Sequence, residues 1–540
     1  AGGKTMSEED LDHKEEISLK DRIYAQVVHK FPVLKPISRP ETVGAVVIRP
    51  FPQKILNEGW SRYLPFITKK TDKPKLSLFG KHVPMKEMYS FARSLASQLE
   101  DKDLKQFEQD ELLEDGEIRG EFDPYMYLTR LCLYDPAYYG TTPLPRWAIP
   151  SIPEFRPIKL SEVEINEPHA NTGFPWLKPL FPRAQARDNR LYSEVVAAAA
   201  RWGARIEAVK NPSADLFRSL TPPSAGFWRA QSSGRPVEGE SKVIVLLEMQ
   251  TAQPLQRALE AEQWYAYGDR EARFNQMAPL VTEHRPGQGV TDGDDFCGVL
   301  ADGRILSGDA TAFDTSVREC DSIAWETAVS AHLSDSMARL YRATQMAADA
   351  VPIAANVGMV EVPYRHGVKS GTGSTHIKDS FVEYARWCSA KPWTSVSSVV
   401  ERMSAVGGIL KAKSQRLSKN WVFLAKLACN GQTLFGSIVR GVYGLCMYED
   451  NPTSYMGPDD DDARVVSIVA NTWSPNGSHP LWQQLVDWVK RYWDLRGDKK
   501  RVLALAADKL SKQRRFQRSH LTGNWERQAM DATWSALSGK

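Results

Sequence analysis

Two short acidic signatures stand close together near the middle of the chain: Gly293-Asp294-Asp295 and Asp309-Ala-Thr-Ala-Phe-Asp314. Asp294 and Asp309 are only 15 positions apart. Carboxylates brought side by side repel one another unless a cation lies between them. The residues in between supply the means to bring them together. Phe296-Cys297-Gly298-Val299-Leu300 reads as one strand, Ala301-Asp302-Gly303 as turn chemistry, and Arg304-Ile305-Leu306-Ser307-Gly308 as a second strand running into Asp309. One antiparallel hairpin then predicts that the carboxylates meet. Hard divalent ions with oxygen ligands, Mg²⁺ or Mn²⁺, are the usual partners of such a pair. Two of them about 4 Å apart form a centre for displacement at phosphorus. The rival reading, an EF-hand calcium loop, needs an oxygen ligand two positions after Asp294, and Phe296 stands there.

A second signal is Ser370-Gly371-Thr372-Gly373-Ser374-Thr375, followed by a helical pattern over 376–390. A Gly/Ser loop opening a helix presents N–H groups and the positive end of the helix dipole to an anion. It ends without the Gly-Lys-Ser/Thr of a Walker loop and lacks the GxGxxG spacing, so a plain N-capped helix is the alternative reading.

Taken together, these signatures resemble the palm of viral RNA-dependent RNA polymerases. Asp309-x4-Asp314 is similar to their motif A, Ser370-Gly371-x3-Thr375 to motif B, and Gly293-Asp294-Asp295 to motif C. Motif C stands here before A, whereas most such polymerases place it after B. That order resembles the permuted palm of the permutotetraviruses, which carry GDD, and more distantly that of the birnaviruses, which carry Ala-Asp-Asn. Further stretches fit the resemblance. Gly407-Gly408-Ile-Leu-Lys411-Ala-Lys413 looks like motif D, whose lysine protonates the leaving pyrophosphate, with Lys411 or Lys413 as the donor. Trp421-Val-Phe-Leu-Ala-Lys426 looks like the motif E hairpin that grips the primer end. Arg229, Arg235 and Lys242 stand where motif F puts cations on the triphosphate, and Asn171-Thr172-Gly173-Phe174-Pro175 resembles motif G, whose Thr172 and Gly173 would touch the template backbone. One position departs from the pattern. Motif B usually has Asn four residues after its Thr to help read the ribose 2′-OH, and this chain has Asp379. An aspartate accepts a hydrogen bond from that hydroxyl but adds negative charge near the triphosphate.

The resemblance implies an α+β right-hand polymerase with fingers, palm and thumb, an antiparallel palm sheet and a permuted motif C. Its implied activity is template-directed RNA synthesis by two-metal nucleotidyl transfer from NTPs to an RNA 3′ end. Asp294 and Asp309 would hold the two Mg²⁺ or Mn²⁺ ions with Asp295 as neighbour, while Asp314, Ser370, Gly371, Thr375 and Asp379 would orient the nucleotide. RNA template, primer or nascent strand and NTPs are the implied partners, alongside other viral proteins, in the host cytoplasm or the virion. Two alternatives are weighed against it: a reverse transcriptase or DNA polymerase of the same fold, and a non-catalytic RNA-binding particle protein whose aspartates only make turns.

The elements that must position these residues are partly visible. Residues 1–22 read as a flexible tail, 24–67 as Pro-rich extended chain, and 85–113 as amphipathic helix. Helix formers cluster at 191–209, a strand-length apolar run at 243–247, and helical patterns at 321–350, 376–390, 393–407 and 482–496. Residues 459–462 read as an acidic loop, and 499–518 is strongly basic. The division expected is a tail to 22, N-terminal extension and fingers over 23–280, palm with a fingers insertion over 281–425, and thumb over 426–540. At 540 residues the chain exceeds what one core organises. A composition 42% hydrophobic and 25% charged is that of a globular protein, and the formal charge of +3 leaves nucleic-acid binding to a local basic channel. The six cysteines make no metal spacing, which suits reduced intracellular thiols. The sequence has no apolar run of membrane-spanning length, and its first residues do not resemble a signal peptide.

Overall fold

The computed structural model describes residues 8–57, 76–117, 123–165, 170–178, 180, 190–229, 235–266, 270–310, 312–411, 416–418, 420–423, 426–429, 433–447, 457–510 and 524–539. Its strands are β1 (Glu41–Val43), β2 (Val46–Arg49), β3 (Ser224–Arg229), β4 (Arg235–Gly239), β5 (Gly289–Asp292), β6 (Asp295–Val299) and β7 (Ile305–Asp309). They continue with β8 (Ile353–Ala354), β9 (Met359–Glu361), β10 (Arg416–Ser418), β11 (Trp421–Phe423), β12 (Lys426–Cys429) and β13 (Thr433–Gly436).

Central to the molecule is an antiparallel sheet of order β10-β7-β6-β5. The expected hairpin is there as β6 and β7, with Val299 opposite Ile305 and Asp295 opposite Asp309. Side chains alternate across a strand, so neighbouring residues enter different cores. Phe296 and Leu306 join Trp387, Trp393, Met403 and Leu410 on one face, while Cys297, Val299 and Ile305 join Phe274, Met277, Trp421 and Trp525 on the other. A sheet covered on both faces has no need of polar alternation, which is why β6 and the start of β7 read as short apolar runs. Helix Thr375–Ser389 lies against the first face through Trp387, whose ring stacks on Phe296 at 3.9 Å between centroids. Gly308 makes that approach possible, since a Cβ there would meet the Trp387 ring at 2.6 Å.

A six-stranded sheet, β1-β2-β9-β8-β3-β4, is antiparallel except for β3 with β8. A third sheet, β11-β12-β13, contains the hairpin expected at 421–426, and Val422 N donates to Ser307 Oγ of β7 at 3.1 Å. The C-terminal helices do not form a core alone. Phe79, Met88, Leu95, Leu104 and Phe107 pack with Val439, Val466, Leu485, Trp488 and Met530. Buried Glu108 joins the two parts: its carboxylate accepts from Ser437 Oγ, Ile438 N and Val439 N at 2.6–3.1 Å and meets His479 Nε2 at 2.9 Å.

Several elements differ from the expectation. Residues 243–247 lie in helix Lys242–Leu259, where Val243, Ile244, Leu246 and Leu247 are buried; a short apolar run fits a buried helix as well as a strand. The pattern at 85–113 is two helices, Met85–Ser97 and Lys102–Gln109, the second capped by Asp101 on Leu104 N at 2.8 Å. That at 321–350 is likewise two, Glu319–Ser330 and Asp335–Ala350, the second capped by Ser334. Asp459, Asp460 and Asp461 form the first turn of helix Pro458–Ala470, where acidic side chains complement the dipole. Glu8–Lys30 is a helix that runs through the end of the expected tail, and its Ile23 and Val27, just beyond residue 22, are buried. Among the described residues no helix is long and apolar enough to cross a membrane.

Candidate active site

The site grows out of two strand junctions. Between β5 and β6 only Gly293 and Asp294 make the turn, and the φ of +61° at Gly293 is the left-handed conformation such a turn demands. The turn is fixed to helix Thr375–Ser389: Gly293 N donates to Ser380 Oγ at 2.8 Å and Thr291 Oγ1 to the Ser380 carbonyl at 3.1 Å. Asp294 thus stands at the tip, Asp295 begins β6, and Asp309 ends β7 directly across from Asp295.

The electrostatics follow from that crowding. Burial, then the Asp309 and Asp295 charges, push the Asp294 carboxyl well above the carboxylate range, and it lies within hydrogen-bonding reach of Asp309. Asp295 is raised well above that range as well, by burial and then by Asp309 and Asp292. Lys411 supplies the opposing charge, with Nζ 2.8 Å from Asp309 Oδ2. Burial works against the Lys411 ammonium, yet its pKa is raised because Asp309 and Asp294 hold the proton on. Among the described residues no three His, Cys, Asp or Glu side chains converge with metal-ligand spacing; what converges is a carboxylate pair with a lysine on it. Lys413, the other motif D candidate, lies outside the described residues.

A second pair adjoins the first. Asp314 sits in the turn of helix Phe313–Ser316, entered through left-handed Ala312, and its carbonyl accepts from Val368 N at 2.8 Å. Asp379, one turn into helix Thr375–Ser389, is buried; burial, then the charge of and a hydrogen bond with Asp314, raise its carboxyl well above the usual range. Its Oδ1 is buried with no hydrogen-bond partner. Ser370 and Gly371 hold the preceding loop against β4. Ser370 Oγ donates to Glu238 Oε2 at 2.8 Å, and a Cβ on Gly371 would lie 2.0 Å from the Glu238 carbonyl. Thr375 Oγ1 donates to the Lys369 carbonyl at 2.9 Å, closing the loop on itself.

The remaining candidates lie around β3 and β4. Arg229 and Arg235 face one another in that hairpin's register, and their side chains are outside the described residues. Lys242 opens helix Lys242–Leu259, where its N donates to the Thr172 carbonyl at 3.0 Å; burial lowers its ammonium pKa against the pull of Glu240. Thr172 is fully buried, its Oγ1 donating to the Lys178 carbonyl at 2.8 Å, and Gly173 has a φ of +74° against Glu240.

Sequence reasoning missed the support beneath the aspartates. Asp292 Oδ2 accepts from Arg273 at 2.8 and 3.1 Å, its Oδ1 meets His376 Nε2 at 2.7 Å, and Tyr265 OH meets His376 Nδ1 at 2.9 Å. Despite burial, the Arg273 and His376 partners hold Asp292 down at about 2. One signal was available: Asp292 completes the acidic run Thr-Asp-Gly-Asp-Asp. Glu238 and Ser380 carried no signal of their own.

No family model matches the chain, and no curated protein matches it. Among solved structures it is similar to the RNA-dependent RNA polymerase of a human picobirnavirus, with a TM-score of 0.63 over 88% of this chain and 97% of that one at 16% identity. An insertion-loop deletion mutant of that polymerase is matched over 89% and 97% of the two chains, again with a TM-score of 0.63 and 16% identity. At such identity the likeness concerns architecture. The fold of this chain is that of a viral RNA-dependent RNA polymerase, α+β with an antiparallel central sheet, in which the turn bearing Asp294 precedes the strand bearing Asp309.

Proposed function

We propose that the chain is an RNA-directed RNA polymerase with a permuted palm, extending an RNA 3′ end from NTPs on an RNA template. The observation that carries this reading is the adjacency of Asp294, Asp295 and Asp309 across β5 to β7 in a polymerase fold, with Asp314 and Asp379 beside them. Residues 23–280 then serve as N-terminal extension and fingers, 281–425 as palm, and 426–540 as thumb.

The carboxylates suit divalent ions. Their donors are hard oxygens, they repel one another, and the Lys411 ammonium already stands on Asp309 as a cation would. Asp294 and Asp309, with Asp295 alongside, would hold two Mg²⁺ or Mn²⁺ ions, which when bound lower the pKa of the primer hydroxyl and neutralise the triphosphate. The chain's own groups do the rest. Asp314 and Asp379 take the ribose; the orphaned Asp379 Oδ1 is an acceptor facing no protein donor, as a 2′-OH reader requires. Ser370, Gly371 and Thr375 shape the loop that holds Asp379's helix in place. Arg229, Arg235 and Lys242 attract the triphosphate, and Lys411 or Lys413 gives a proton to the leaving pyrophosphate; Thr172 and Gly173, both buried, shape their loop rather than touch the template. RNA template, primer or nascent strand, NTPs and other viral proteins are the partners, in host cytoplasm or virion.

The test is extension of a primed RNA by the purified chain with Mn²⁺ or Mg²⁺, run in parallel with NTPs and dNTPs. Extension with NTPs supports the reading. Extension only with dNTPs moves the chain to a reverse transcriptase or DNA polymerase, and RNA binding without any incorporation makes it a binding protein.

A further inference from the structure

Lys411 is held beside Asp309 by its backbone as well as its side chain. Helix Val396–Ala405 ends at Gly407, whose φ is +91°, and Gly408 N donates back to the Met403 carbonyl at 2.8 Å. The chain then runs along the end of β7: Leu410 bridges to Ala310, and Lys411 N donates to the Asp309 carbonyl at 3.0 Å. Leu410 is 3% exposed and packs among Phe296, Leu306 and Trp387, so this backbone is anchored in the core. Only the aliphatic stem of Lys411 is left to choose where the ammonium goes.

We propose that Lys411 is an internal counter-ion that competes with the divalent metal for Asp309, so that metal loading releases its ammonium toward the incoming triphosphate. This rests on the polymerase reading above and adds a second role to a residue that reading takes only as a proton donor. Magnitudes decide the exchange. The Lys411–Asp309 pair is only partly buried, with side-chain exposures of 45% and 28%, so solvent screens it enough for exchange. A divalent ion would bring twice the charge and would draw on Asp294 as well, which lies within reach of the Asp309 carboxylate. Metal would therefore win Asp309, and Lys411 would turn to the nearest other anion. With the backbone fixed beside Asp309, that anion is the triphosphate the metal accompanies, which is where a proton donor is required.

Direct binding of Mn²⁺ alone to the full chain, followed by calorimetry or by its electron paramagnetic resonance, tests this. Wild type, Lys411→Met, Lys411→Arg and Asp309→Asn are compared, each also melted in EDTA and in Mn²⁺. Competition predicts that Lys411→Met binds Mn²⁺ about fivefold tighter than wild type, the worth of one partly exposed ion pair. Lys411→Arg, which keeps a cation, stays near wild type, and Asp309→Asn loses the site. It also predicts that Lys411→Met melts lower than wild type in EDTA and gains more from Mn²⁺. Equal or weaker binding by Lys411→Met, with binding still dependent on Asp309, overturns the competition and leaves the polymerase reading standing. Mn²⁺ binding indifferent to Asp309 overturns the metal assignment itself.

Discussion

Asp379 carries the sharpest residue-scale question, because an acid replaces the asparagine its motif leads one to expect. Burial and the Asp314 charge push its carboxyl well above the usual range, and its Oδ1 is buried with no hydrogen-bond partner. On the proposed reading, replacing it by alanine would remove one hydrogen bond to the 2′-OH. Asp379→Ala is expected to lower the preference for NTPs over dNTPs by about tenfold, the value of one such bond, measured by matched single-nucleotide extensions. An unchanged ratio would remove Asp379 from sugar selection. Asp292 poses a structural question instead. Asp292→Ala takes away the carboxylate shared by buried Arg273 and by His376, which is expected to cost about 3 kcal/mol in denaturant unfolding. A variant as stable as wild type would show that the network does not support the turn.

At the scale of elements, the hairpin was legible and its supports were not. Strand-length apolar runs on either side of Ala301-Asp302-Gly303 are local signals, and they placed Asp309 opposite the Gly293-Asp294-Asp295 stretch. The Asp292–His376 bond spans 84 positions and the Ser370–Glu238 bond 132, and periodicity says nothing about pairings at such distances. The run at 243–247 failed for a different reason: five buried apolar residues satisfy both periods, and the helix is decided by packing among Val195, Ala199 and Ala347. The loop 370–375 was readable as a helix opening, but the reason for Gly371 was not. Its place is taken up by the Glu238 carbonyl of β4, so Gly371→Ala must push loop and strand apart. That variant is expected to lose about 1–3 kcal/mol to overpacking and most of its extension rate. Stability and rate both equal to wild type would mean the loop is free of β4.

The whole molecule ties its two ends around the central sheet. Glu108 joins residues 102–109 to the start of helix Ile438–Cys446, 329 positions away, and Arg270 joins helix Arg270–Thr282 to Glu526 of the last helix at 2.8 Å with both side chains buried. No sequence pattern announces such closures, which is why the expected division of the chain made no link between 85–113 and the residues after 433. Glu108→Ala leaves the N-terminus of helix Ile438–Cys446 without its anion and His479 without that carboxylate. It is expected to cost about 3 kcal/mol, with early cleavage between residues 97 and 117 under limited proteolysis; cleavage at the wild-type rate would contradict the closure.

The central claim is that Asp294 and Asp309, brought together by one hairpin, carry metal-dependent RNA synthesis. It is tested most directly by incorporation of labelled NTP into primed RNA with Mn²⁺, comparing the full chain with Asp309→Ala and Asp294→Ala of matched stability. The account predicts incorporation by wild type and a loss of at least about a thousandfold in each variant. Incorporation by either variant at the wild-type rate would contradict it.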